Sequence, residues 1–374
     1  MKSDIFLVGS GLTRFGEWWD KSLRELMDEA TQAALRSSGL SPLDIDLVVV
    51  ANMLAEVTNS QAALGSLASS LLPHHPPALR VEAACSSGSL ALHTACAFLE
   101  SGRAKTVLVL GAEKMTDVST DVISQALMGA ADSELDAPSG ITFPGIFGLI
   151  AKRYMHEFGL TREELSLVSA VHHRNAVTNP FAQFRAELSP EAVSASPLVS
   201  DPLRLFDCSP ISDGAAACIL STTHTSPLRM AASQTASDTL SITERLIITS
   251  FPATRESFAR ALLEAGVERD DIRVAETHDC FSIAAIINME DLGFAERGEG
   301  IRIYKDLYAG RTPLFVNMGG GLKACGHPVA ATGLKQLIDV GKHLTRTSAP
   351  YGLTHNFGGA GTTCGIHILQ NTSV

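Results

Sequence analysis

Apolar positions along the chain follow two periods. From Leu23 to Leu35 they recur at three- and four-residue intervals, which predicts an amphipathic helix. The same spacing predicts a helix from Ser257 to Ala265, one beginning near Phe147 and running through Ala151, Tyr154 and Met155, and one from Arg162 to Ala176. Between them lie short unbroken apolar runs: Thr106 to Leu110, Arg273 to Glu276 and Leu314 to Asn317. Runs of that length read as strands buried on both faces. The opening Met1-Lys2-Ser3-Asp4-Ile5-Phe6-Leu7-Val8 reads as a first strand; it is too short and too acidic for a signal peptide. Helices alternating with apolar strands indicate α/β layering with buried sheets.

The pattern repeats. Gly39 to Val48 resembles Gly266 to Ala275, each following an amphipathic helix and running into an apolar strand. Ser212 to Leu220 resembles Phe357 to Leu369, both small-residue turns leading into strands. The offset is about 230 residues for the first pair and about 145 for the second, so a unit is duplicated with roughly 80–90 extra residues in its first copy. Those residues fall between Met115 and Phe206, a stretch rich in Gly, Pro, Ser and His. A long excursion with helices of its own suits a lid or binding subdomain. The expected organisation is a first half from 1–116 and 205–225, an inserted loop domain over 117–204, and a second half over 226–374.

Composition narrows the classes. The 374 residues are 45% hydrophobic and 18% charged, as in a compact globular protein, and no apolar run approaches a membrane span. A formal charge of −11 argues against nucleic acid and anionic membrane surfaces. Seven cysteines without a CxxC pair suit reduced thiols in a cytosol.

Cys85 ends the run Val81-Glu82-Ala83-Ala84-Cys85 and is followed by Ser86-Ser87-Gly88-Ser89. A thiol where a strand meets a helix start sits beside unpaired N–H groups. Their partial positive charge favours thiolate, making the cysteine nucleophilic near neutral pH. The alternative is a buried cysteine before a core helix packed on Leu90, Ala91, Leu92 and Ala95. Glu276-Thr277-His278-Asp279-Cys280-Phe281 places His278 and Cys280 two apart at a strand end, suited to hydrogen-bond donation and proton transfer, or to a loop His and a core Cys. Asn317 to Gly333 is a glycine-rich loop holding His327 directly before Pro328 at a helix start. It lacks the Gly-Lys-Ser/Thr of a P-loop, and a catalytic base explains its His better. In Asn356-Phe357-Gly358-Gly359-Ala360-Gly361, successive N–H groups suit an oxyanion hole or a tight turn. His74-His75 and His172-His173 are chain neighbours whose side chains do not share a face, so they do not read as metal ligands.

These four segments, in this order, resemble the thiolase superfamily, and the chain is similar to its sterol-carrier-protein-type branch over nearly its whole length, with no sterol-carrier domain before Val374. The resemblance implies a duplicated thiolase fold in α-β-α-β-α layers with an inserted loop domain. It implies Cys85 as the acyl-carrying nucleophile, His327 as the group that takes its proton, and His278 as a ligand of the thioester oxygen. The N–H groups of Cys85 and Gly358 would form a second oxyanion hole. Most thiolases carry a further catalytic Cys where this chain has Asn356; the sterol-carrier branch has it in the His-Asp-Cys-Phe run, where Cys280 matches.

The activity implied is acyl transfer between a cysteine and coenzyme A, cleaving a 3-oxoacyl-CoA to acetyl-CoA and acyl-CoA or running the reverse Claisen condensation, in lipid and fatty acid metabolism. CoA and acyl-CoA are substrates, with no tightly bound cofactor and no metal. Phe143, Phe147, Ile150 and Tyr154 are candidates to line its pantetheine or acyl channel, and Arg153, Arg174, Arg185 and Arg204 to meet its phosphates. A cytoplasmic homodimer or homotetramer is expected. Alternatives are a condensing enzyme that needs an accessory subunit and a catalytically silent subunit; a small zinc-ribbon/OB-fold protein is a possible partner.

Overall fold

The computed structural model describes residues 4–374; Met1 to Ser3, read above as the head of the first strand, lie outside the described residues. Among the described residues there are twelve strands: β1 (Phe6–Leu12), β2 (Leu47–Ala51), β3 (Ala78–Val81), β4 (Thr106–Glu113), β5 (Leu198–Ser200), β6 (Leu203–Arg204), β7 (Gly214–Ser221), β8 (Leu228–Ser237), β9 (Ile272–Glu276), β10 (Phe315–Val316), β11 (Tyr351–Gly358) and β12 (Thr363–Asn371). Ten of them form one sheet in the order β10-β9-β11-β12-β8-β1-β7-β4-β2-β3.

The sheet carries the duplication openly. Outward from the centre, the first half runs β1, β7, β4, β2, β3 and the second runs β8, β12, β11, β9, β10. Pairing senses match: β2 is parallel to β3 and β4, as β9 is to β10 and β11, while β7 and β12 run antiparallel to their neighbours. The halves meet through β1 and β8 at the pair Phe6–Arg229. In the second half a tight turn joins β11 to β12; in the first, residues 114–213 intervene between β4 and β7 and add only the hairpin β5–β6.

The helices are α1 (Leu23–Ser38), α2 (Ala55–Thr58), α3 (Leu64–Ser69), α4 (Ser87–Glu100), α5 (Thr120–Leu127), α6 (Phe143–Phe158), α7 (Arg162–Ala176), α8 (Pro190–Ala195), α9 (Pro252–Ala265), α10 (Ser282–Asp291), α11 (Ile301–Tyr308), α12 (Gly321–Cys325) and α13 (Thr332–Thr347). Helix α1 starts at a capping box, Ser22 with Glu25, and ends at Gly39 in the left-handed region, so both ends are satisfied locally. Helix α6 begins four residues before Phe147, where the Thr142 hydroxyl accepts the Gly145 N–H and Pro144 occupies the first turn.

Helix α1 packs on β1, β7 and β4 of its own half, and α9 on β8 and β12 of the other. Helices α4 and α13 pack on each other and on strands of both halves. The layer order is therefore α-β-α-β-α, with α4 and α13 in the middle. Small residues permit this central packing: a Cβ on Gly365 would collide with Ser89, and one on Gly88 would lie 2.6 Å from the Ala330 carbonyl.

Candidate active site

The reactive segments occupy equivalent places in the two halves. Cys85 follows β3 and precedes α4; His327 follows β10 and precedes α13. His278 and Cys280 follow β9. All leave the same ends of parallel strands, where open α/β sheets gather their ligands.

Cys85 lies in a single 3₁₀ turn, Ala84–Ser86, ahead of α4. Ala84 holds φ at +52°, an uncommon left-handed conformation for a residue with a Cβ. Short bonds fix the turn: Ala84 N–H donates to Glu82 at 2.6 Å, and the Ser87 hydroxyl donates to the Ala84 carbonyl at 2.6 Å. The Ser86 hydroxyl donates to the Asn356 carbonyl across the halves. Nearby, a Cβ on Gly358 would collide with the Ala83 carbonyl, so only glycine lets β11 approach the nucleophile turn.

Two imidazoles face the sulfur. Cys85 Sγ and one nitrogen of each of His278 and His327 lie within 4.8 Å of one another, and the two rings meet edge to face with centroids 5.1 Å apart. The outer nitrogens are already engaged. His327 Nδ1 is 2.7 Å from Thr332 Oγ1, and His278 Nδ1 is 2.9 Å from Asn356 Nδ2. Both Nε2 atoms are buried without a protein partner among the described residues. With the Asn356 amide donating to Nδ1, the proton of neutral His278 sits on Nε2, pointing into the site as a hydrogen-bond donor. A thiol and two imidazoles are also a donor set for a soft metal ion, but His278 would first have to surrender that proton.

Electrostatics set the resting protonation. Burial pushes His327 down to about 4 and His278 well below its ordinary value, so both are neutral at physiological pH. Burial and the nearby Glu113 push Cys85 up to about 12. This corrects the expectation of a thiolate favoured by the helix start: the turn's N–H groups are outweighed by desolvation and by a neighbouring acid. The thiol must therefore lose its proton to a base as it reacts. Glu113 is itself pushed up to about 8 by burial, while accepting the N–H groups of Met53 and Leu54. Cys280 is buried and raised well above the ordinary thiol range, first by desolvation and then by the proximity of Cys85. It rests as a proton-bearing acid beside the nucleophile.

Asp279, between His278 and Cys280, faces away. Its carboxylate accepts the Leu322 N–H at 2.8 Å and pairs with Lys323 at 3.3 Å and His172 Nδ1 at 2.8 Å. Burial alone would raise its pKa, but Lys323 and His172 overcome that and hold it far below the usual carboxylate range. It bolts the His-Asp-Cys turn to the glycine-rich loop. His173 turns elsewhere, against Phe184 and Phe206, and His74 contacts the Ile45 carbonyl.

The proposed CoA contacts separate from this cluster. Phe147 is fully buried, stacked on Phe281 at 4.5 Å and on Phe357 at 6.3 Å, so it supports the site from behind and lines no open channel. Ile150 and Tyr154 are likewise core, Tyr154 bonding Glu290, and Phe143 packs at the core's edge. Arg153 pairs with Glu157 on the surface, and Arg174 donates to the Leu307 and Tyr308 carbonyls, ending α11. Arg185 and Arg204 bond the carbonyls of Val177 and Ser196. All four guanidinium groups have structural partners.

Cys85 also packs on an apolar cluster of Leu54, Met115, Ile123 and Val329, flanked by Met53 and Leu127. Sequence reasoning missed this cluster, and it missed Thr332, Asn288 and Glu113. Thr332 was legible as the fifth residue after His327, one turn into a helix; Asn288, which donates to the His278 carbonyl at 2.7 Å, left no signal.

Comparison with known proteins agrees with this geometry. Residues 5–224 match the family model "Thiolase, N-terminal domain" and residues 234–371 match "Thiolase C-terminal domain-like". The chain is 42% identical to an acetyl-CoA acetyltransferase of Methanothermobacter thermautotrophicus, over 98% of this chain and 99% of that one. It is 30% identical to sterol carrier protein 2 of Bos taurus, over 96% of this chain and 70% of that one. Among solved structures it superposes on the Ltp2-ChsH2(DUF35) aldolase with a TM-score of 0.82 at 23% identity, covering 99% and 98% of the two chains. With both halves of the chain matched and the duplicated sheet in place, this protein belongs to the thiolase family.

Proposed function

We propose that the protein is a CoA-dependent acyltransferase of the acetyl-CoA acetyltransferase type, with Cys85 as nucleophile. The observation that carries this reading is the convergence of the Cys85 sulfur with the free faces of His278 and His327. In the cleavage direction His327 Nε2 takes the Cys85 proton and the sulfur attacks the 3-keto carbon. The bond to the α-carbon breaks, and the electron pair becomes the enolate of acetyl-CoA. His278 Nε2–H meets the enolate oxygen, and Cys280 delivers its proton to the carbanion. Free CoA then gives its thiol proton to Cys280 and attacks the acyl-enzyme; Cys85 leaves and recovers its proton from His327. The N–H groups of Cys85 and Gly358 would serve the second tetrahedral intermediate. Losing one such pre-placed donor typically costs about 3–4 kcal/mol of barrier. Covalent capture implies ping-pong kinetics.

The excursion 117–204 would hold CoA, with Phe147, Arg153 and Arg174 as the candidate contacts. No described helix is long and apolar enough to cross a membrane, and a cytoplasmic homodimer or homotetramer fits the family. The second reading is an enzyme that works with a small zinc-ribbon/OB-fold partner; the neighbouring aldolase, named with such a DUF35 component, favours it. Mass spectrometry after incubation with acetyl-CoA tests the proposal. An acetyl adduct on Cys85, absent from Cys85→Ala, supports it. An intact chain that forms no adduct would overturn it.

A further inference from the structure

We infer that Thr332 is the positioning residue that makes His327 a base: its hydroxyl accepts a hydrogen bond from Nδ1–H and donates its own to the Pro328 carbonyl. The inference rests on the assignment of Cys85 and His327 made above.

A neutral imidazole carries one N–H, and only the tautomer with that proton on Nδ1 has a lone pair on Nε2 to offer the thiol. Once Nε2 has taken the thiol proton, both nitrogens are donors, and Nδ1 needs an acceptor in a site closed to water. Thr332 Oγ1, 2.7 Å away, is the contact that Nδ1 makes. A hydroxyl can accept there only if its own proton points elsewhere. The Pro328 carbonyl, 3.1 Å from Oγ1 and one turn back along the chain, gives it that outlet. The acceptor is held in place: Thr332 is the first residue of α13 and is buried, and the His327 N–H is itself fixed to Ser212 Oγ at 3.0 Å. Ring, hydroxyl and carbonyl form a short relay that ends on the backbone. On the opposite side, Asn356 gives His278 the reverse tautomer. Two histidines 5.1 Å apart thus present a lone pair and a proton to one sulfur.

The test compares Thr332→Ser, which keeps the hydroxyl, with Thr332→Val, which keeps the shape and loses the acceptor. The rate of Cys85 acetylation by acetyl-CoA should fall about 10- to 100-fold in Thr332→Val, the range typical for outer partners of a functional imidazole, and return close to wild type in Thr332→Ser. KM should change little, since the relay touches no substrate. In ¹⁵N-histidine spectra of the wild type, His327 should show its proton on Nδ1, and Thr332→Val should lose that preference. Wild-type acetylation in Thr332→Val, or a wild-type spectrum with the proton on Nε2, overturns the inference. Acetylation that persists in Cys85→Ala overturns the nucleophile assignment instead.

Discussion

The Ser86 hydroxyl donates to the Asn356 main-chain carbonyl at 3.0 Å, joining the two halves one residue beyond the nucleophile. Both groups are buried. Asn356 also holds His278 through its side chain, so a single residue of β11 touches the Cys85 turn with its backbone and the His278 imidazole with its amide. Ser86→Ala should lower stability by about 1 kcal/mol, the net worth of a neutral hydrogen bond, and reduce turnover more than substrate binding. Urea unfolding and steady-state kinetics check both; unchanged turnover would show that the tie does not position the site.

The acid limb of activity should lie unusually low. His327 acts as a base only when neutral, and burial pushes it down to about 4, against an ordinary value of about 6.5. Single-turnover acetylation of Cys85 should therefore stay flat as pH falls through 6 and drop near 4. A limb centred near 6.5 would mean that the imidazole is more exposed to water than the structure shows.

Cys85 in the free enzyme should alkylate slowly. At about 12 it lies roughly three units above the ordinary thiol value, so near pH 8 its thiolate fraction is lower by about a thousandfold. Glu113 is pushed up to about 8, so it is neutral below that pH and an anion above it, where its charge opposes thiolate. Glu113→Gln should leave iodoacetamide reactivity nearly unchanged at pH 6 and raise it above pH 8. Equal reactivity at both pH values would detach Glu113 from the nucleophile.

Much of this was legible in the chain. Helix α7 spans the residues its period predicts, and Thr161 with Glu164 caps its start. The repeat Gly39–Val48 against Gly266–Ala275 marks β2 and β9, which hold the same place in the two halves. The apolar run Leu314 to Asn317 becomes only the two-residue β10, since Asn317 adopts φ of +49° to clamp Thr277 on both its N–H and its carbonyl. Burial was the hidden quantity. Motif spacing located Cys85, but its raised pKa depends on burial and on Glu113 reaching in from β4, neither of which has a local signature. The arginines were plausible anion ligands by charge alone; Arg174 finds its carbonyl partners on the distant α11, while Arg153 pairs one turn along its own helix and Arg185 and Arg204 bond carbonyls eight residues back.

Removing Asp279 should cost stability more than chemistry suggests. Its carboxylate is fully buried between Lys323 and His172, both buried themselves. Asp279→Ala would leave Lys323 uncompensated, a change that typically costs about 3–5 kcal/mol. Denaturant unfolding should show that loss even though Cys280 and His278 are intact. A loss below about 1 kcal/mol would mean that Lys323 finds water or another carboxylate.

The apolar cluster beside Cys85 should set the acyl chain that the enzyme accepts. Ile123 projects from α5 in the excursion and is buried with Leu54, Met115 and Val329 in the apolar cluster against which Cys85 packs. An acyl group on Cys85 must lie against these side chains or displace them. Ile123→Ala should shift the ratio of kcat/KM for six-carbon over two-carbon acyl transfer by about tenfold or more toward the longer chain, the scale on which apolar pockets discriminate methylenes. The truncation also costs about 2–5 kcal/mol of packing, so Ile123→Val, at about 0.5–1.5 kcal/mol, separates selectivity from instability. A graded shift from Val to Ala with full folding supports the cluster as the acyl pocket. Selectivity unmoved in both variants would place the chain elsewhere, between α5 and the histidines.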